Sequence, residues 1–160
     1  MNAARRHDGF TYLALLFTVA AMSALLAVTG MLWSSAQQRL KEHELLFIGN
    51  AYRNAIATYY EKAPGTLKGY PQTLEDLLLD KRQLAVVRYL RRSYVDPMTL
   101  SAQWGTVSAS DGGIKGVYSL SGTVPMKRIG FSGADKEFES AISYSGWQFV
   151  YEPVTQKSMQ

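Results

Sequence analysis

The polar and apolar positions divide this chain into three stretches of different character. Residues 10–33 form a run of 24 positions without a charge and with few polar side chains. As a helix rising 1.5 Å per residue, the run is roughly 36 Å long, against ~30 Å for the hydrocarbon core of a bilayer. Beyond Trp33 the pattern becomes amphipathic, with no proline before Pro64 to break it. Leu45, Ile48, Tyr52, Ala55, Ile56 and Tyr59 recur at spacings of three and four, which predicts one buried helical stripe. Arg39, Lys41, Glu42, Glu44, Arg53 and Glu61 fall largely off it. Together the two patterns predict one continuous helix from about residue 11 to about residue 61.

Pro64-Gly65 ends that helix, and Gly69-Tyr70-Pro71 redirects the chain. Thr73-Leu74-Glu75-Asp76 places an acid three residues after a hydroxyl, a capping box. It predicts a short second helix through Leu74, Leu77 and Leu78, continued by a turn or two to Tyr89-Leu90. After Asp96-Pro97, glycine and serine become frequent and β-like runs appear at 116–120, 126–131 and 147–151, with Gly112-Gly113 as a turn. The expected class is α+β: a long N-terminal helix, half apolar and half amphipathic, packed on a small antiparallel sheet.

Composition narrows the functions open to such a chain. It has no cysteine, so disulfides, thiol nucleophiles and thiolate metal sites are excluded. Its formal charge of +4 becomes +3 once residues 1–9 are set aside, too mild a balance to argue for nucleic acid. Apolar residues at 47% allow a core, and ten Tyr with three Trp suit a β-rich surface or an oligomer contact. Of the two histidines, His7 lies among the first nine residues and His43 sits between charged neighbours, where a solvated helix face is the default. No nucleophile–base pair, nucleotide loop or metalloprotease motif is present, so neither catalysis nor a cofactor is expected.

Lys81, Arg82, Arg88, Arg91 and Arg92 concentrate charge in twelve positions. A patch for DNA or for anionic headgroups is one reading. A solvated helix face over buried Leu84, Val87 and Leu90 accounts for the same spacing and is preferred. Tyr59-Tyr60 and the series Trp147, Phe149, Tyr151 read as core and sheet packing.

Arg5 and Arg6 lie before the apolar run, which predicts that the N-terminus stays cytoplasmic. Ser34-Ser35-Ala36 offers small residues for an ordinary signal-peptide cut that would leave Gln37 first. The run is too long for a signal peptide, however, and the amphipathic helix continues through that cut. An uncleaved membrane anchor is the second alternative. Arg5-Arg6, then Gly9-Phe10-Thr11, then the apolar helix, resemble the class III signal of type IV pilins and type II secretion pseudopilins. The resemblance implies cleavage between Gly9 and Phe10 by prepilin peptidase and N-methylation of Phe10. It extends to Tyr70-Pro71 with Leu74 and Leu77, to Asp96-Pro97, to Trp104-Gly105 and to Tyr118-Ser119-Leu120. These are similar, over about residues 10–121, to the major pseudopilins.

Two departures qualify it. The fifth residue counted from Phe10 is Ala14, where nearly all pilins carry a glutamate thought to pair with a neighbouring subunit's terminal amine. Its absence is typical of a minor pseudopilin. Asp135, Glu137 and Glu139 lie near the position of the family's calcium loop but lack its pattern, so they read as solvated surface and no metal is expected. The resemblance implies a leader at 1–9, a transmembrane and assembly helix at 10–33 and a periplasmic pilin-like domain at 34–160. It implies a single-pass inner-membrane location with the N-terminus inside. The role would be that of a secretion pseudopilus subunit, partnered by other pseudopilins, the assembly platform and prepilin peptidase. A type IV pilus minor pilin and a bitopic membrane protein with a partner-binding periplasmic domain are the alternatives.

Overall fold

The computed structural model describes residues 8–64, 68–82, 86–131 and 133–153, except the side chains at positions 8, 9, 27, 28 and 30–32. Arg5 and Arg6 lie outside them. The chain divides into two compact units, Met1–Gln38 and Arg39–Gln160, and α1 (Asp8–Glu61) contributes to both. This helix begins three residues before the expected start and ends where the amphipathic pattern stops.

In the first unit every side chain from 10 to 26 is exposed. Thr18, Ser23 and Thr29 turn their hydroxyls back to the carbonyls of Ala14, Val19 and Leu25, at 2.8, 2.8 and 2.9 Å. The helix thereby satisfies its own hydroxyls, which lets them tolerate an apolar surrounding. Among the described residues no helix is long and apolar enough to cross a membrane.

In the second unit the six-residue stripe of α1 is buried throughout. It packs against a three-stranded antiparallel sheet in the order β1 (Gly105–Ser108), β2 (Ile114–Tyr118) and β3 (Phe149–Val150). The β1–β2 hairpin turns at Gly112, whose φ of 82° favours glycine. Gly105 pairs with Tyr118 across the hairpin, and the Tyr118 ring lies where a Gly105 side chain would be. Phe131, Phe138, Tyr144 and Trp147 close the other side of the core. Phe138 stacks on Trp147 with centroids 5.6 Å apart, while Phe131 and Tyr144 meet Trp147 edge-on. The aromatic residues expected to pack do so.

Three expectations change. The second helix is only a 3₁₀ turn, Leu74–Leu77, opened by Asp76 accepting from the Thr73 N–H at 2.9 Å. The described residues between 81 and 90 are not helical, because their backbone bonds cross to an earlier segment. Asp80 donates to Val87 at 3.0 Å, and Tyr89 and Leu90 both donate to Leu77 at 2.9 Å. Of the apolar residues placed beneath that face, Leu90 is buried and Val87 half-buried, while Leu84 lies outside the described residues. The run at 126–131 is a loop, not a strand, because the Glu42 side chain takes the N–H groups of Met126 and Lys127 that a neighbouring strand would otherwise pair. β1 was not anticipated: Val107 is its one bulky apolar residue, and pairing with β2 creates the strand.

Candidate functional site

The Gly9–Phe10 bond lies in the first turn of α1. Phe10 is 77% exposed and Ala14, on the next turn, is also exposed. Ala14 offers only a methyl group and a carbonyl already bonded to Thr18. No carboxylate therefore stands at that level of the helix.

A second feature lies wholly within the Arg39–Gln160 unit. One face of α1 and the loop around residues 126–129 form an open groove of about 440 Å³, lined by Arg39, Glu42, His43, Leu46, Met126, Lys127, Arg128 and Ile129. Its shape depends on Glu42, which is only 4% exposed. The Oε1 atom accepts from the backbone N–H of Met126 at 2.6 Å and of Lys127 at 3.1 Å, and from the Tyr144 hydroxyl at 2.9 Å. These N–H groups are thus bound to a carboxylate instead of a neighbouring strand. A buried carboxylate is tolerated when several donors converge on it, as here. Glu42 was expected off the buried stripe. A signal for it existed, since position 42 precedes Leu45 by three and continues the stripe's spacing toward the N-terminus. His43, one residue on, is exposed as expected.

Of the acidic residues near the C-terminus, Glu137 is on the solvated surface as expected, whereas Asp135 and Glu139 are half-buried and engaged. Asp135 receives Arg53 Nη1 at 2.7 Å, and that same nitrogen reaches Asn50 Oδ1 at 2.7 Å. Glu139 accepts from Lys136 at 2.8 Å and from the Phe131 N–H at 3.3 Å; Glu137 is exposed. Among the described residues no three His, Asp or Glu side chains converge on one point.

No protein family, characterised protein or solved structure matches the chain.

The basic segment separates into two parts. Arg82 is structural: its guanidinium lies 3.4 Å from the Tyr59 ring centroid, donates to the Tyr59 carbonyl at 2.9 Å and pairs with Asp80 at 2.9 Å. Lys81, Arg88, Arg91 and Arg92 are exposed. Hydrogen bonds from the Arg82 side chain hold the Asp80 carboxyl below the usual carboxylate range. Burial opposes this, while the Arg82 N–H and the Tyr89 hydroxyl assist it. The folded value lies under the unfolded one, so this contribution is fully present above about pH 4 and is lost as pH falls through the folded value. Acid titration followed by tryptophan fluorescence should therefore show a stability loss below about pH 4. Asp80→Asn should flatten that limb while lowering stability at neutral pH. An unchanged acid limb in the variant would refute the assignment.

At the far end of α1, Tyr151 donates to Glu61 at 2.6 Å and its pKa is pushed up to about 12, chiefly by that bond. Tyr60 and Tyr70 pack beside it, so this cluster fastens the helix end to the residue after β3.

Proposed function

We propose that this chain is a pilin-like structural subunit, a minor or divergent pseudopilin of a type II secretion pseudopilus. Residues 10–33 would hold it in the inner membrane with residues 34–160 in the periplasm. The observation that carries this reading is α1: a single 54-residue helix, exposed and apolar over residues 10–26 and buried along its stripe in the second unit. An apolar helix left uncovered by its own chain is suited to exchange lipid for the same helix of a neighbouring subunit.

The short motifs that resemble the family also support the reading, because each is fixed in the second unit and three of them touch, Asp96 through Ser119 and Gly105 through Tyr118. Asp96 is fully buried and accepts from Ser119 Oγ at 2.7 Å. Trp104 Nε1 donates to the Tyr94 carbonyl at 2.8 Å. Pro71 accepts from the Ile114 N–H at 2.7 Å. Ala14 supplies no carboxylate to pair with a neighbour's terminal amine, which favours a minor subunit over a repeating one. The role is mechanical: prepilin peptidase processes the chain, the assembly platform and other pseudopilins receive it, and the chain itself catalyses nothing.

Intact mass of the protein recovered from membranes tests this. A methylated Phe10 terminus is expected, whereas a Met1 or Gln37 terminus overturns the reading. Gly9→Leu should leave residues 1–9 attached in essentially all molecules, and normal maturation of that variant would remove Gly9-Phe10 as the processing site.

A further inference from the structure

The groove over Glu42 carries an asymmetry of charge that the fold does not use. Pro125 and Phe131 are buried and anchor the ends of the loop, and Glu42 ties its beginning to α1. Between the anchors Met126 is 39% and Ile129 79% exposed, and Lys127 and Arg128 are exposed between them. Arg39, also exposed, lines the same groove. None of these three cations makes an ion pair among the described residues. No acidic residue occurs in the sequence between Asp111 and Asp135, and the groove's one carboxylate is taken up by backbone N–H groups and Tyr144.

We infer that this loop docks on an anionic bilayer surface, with Arg39, Lys127 and Arg128 against the headgroups and Met126 and Ile129 in the apolar boundary beneath them. Cations without a carboxylate partner, of which Lys127 lies 4.5 Å from the Phe131 ring centroid, flanked by bare aliphatic side chains, are the composition of an interfacial membrane contact. Long basic side chains lay their stems along apolar surface while the charge reaches the headgroups. A nucleic acid would use the cations but leave Met126 and Ile129 without a partner. The inference rests on the membrane reading above. Arg39 follows Trp33 by six residues, so chain connectivity alone keeps it near the headgroup layer.

The chain lacks cysteine, so one introduced thiol gives a unique label. The full chain is reconstituted into vesicles of phosphatidylglycerol with phosphatidylethanolamine, and separately of phosphatidylcholine. An environment-sensitive fluorophore is placed at Ile129→Cys, at Phe17→Cys or at Ile142→Cys, the last being a position 84% exposed and outside the lining of the groove. Lipid-attached quenchers should reach the labels at 17 and 129 in anionic vesicles and leave 142 untouched. Protection at 129 should weaken in phosphatidylcholine and in high salt. Adding Lys127→Gln and Arg128→Gln should lower the docked-to-undocked ratio about thirtyfold, or about fivefold per cation. Quenching at 17 with a wet label at 129 overturns the docking and leaves the membrane reading standing. Quenching at neither position overturns both. Protection at 129 that is equal in both lipids, or that rises with protein concentration, assigns the loop to a second copy of the chain and overturns the lipid assignment.

Discussion

Gly49→Ala is expected to destabilise the second unit by about 1–2 kcal/mol net, the overpacking cost outweighing the roughly 1 kcal/mol by which alanine favours a helix over glycine. Gly49 is buried on α1, and the ring of fully buried Phe149 from β3 occupies the space a side chain at 49 would need. A methyl group there cannot be absorbed by a flexible tip, because the Phe149 ring is packed against Phe138 at 5.1 Å. The ring must move or the helix must lift from the sheet, and either loses burial that a small domain with only about 5–15 kcal/mol of stability cannot lose lightly. Urea denaturation in detergent, followed by tryptophan fluorescence, should show a lowered midpoint. Pairing Gly49→Ala with Phe149→Leu should restore part of the loss, giving a favourable coupling energy in the double-mutant cycle. An unchanged or raised midpoint in the single variant would mean that helix propensity outweighs the contact.

This contact marks where sequence reading stops. The stripe from Leu45 to Tyr59 was legible because spacing along one helix is local, and each of its six members is buried. The α+β class was legible for the same reason, since the pattern changes near Asp96-Pro97. Gly49 carries no local signal: in a helix it looks like a weak residue, and its purpose depends on a phenylalanine one hundred positions later. β1 was invisible because Gly-Thr-Val-Ser becomes a strand only by pairing with β2. The loop at 126–131 looked like a strand by composition, and only a carboxylate on another element decides otherwise. The basic segment had helical spacing, but Leu77 and Asp80 claim its backbone bonds. Of the candidate site, the N-terminal junction and Ala14 were legible, being contiguous. The groove was not, because residues more than eighty positions apart build it.

Glu42→Ala should cost the second unit roughly 2–4 kcal/mol, because it removes several hydrogen bonds to one charged acceptor at once. Three donors lose their acceptor at once: the N–H groups of Met126 and Lys127 and the hydroxyl of Tyr144. The two N–H groups can find water if the loop lifts. Tyr144 is fully buried and packs edge-on against Trp147, so loss of its bond to Glu42 is felt inside the core. Glu42→Gln keeps one carbonyl acceptor of the same reach and should cost less, about 1–2 kcal/mol. Hydrogen exchange separates the two consequences. The amides of 126 and 127 should lose protection in Glu42→Ala, while the Ile114 amide, bonded to Pro71, exchanges only through the lowered global stability. If the loop amides stay protected, Glu42 does not hold the loop to α1. If they are released, the fluorophore at Ile129→Cys should also lose its lipid protection with all three cations in place. A charge-only account of the docking surface does not predict that loss, whereas a cationic loop whose geometry depends on one buried carboxylate does.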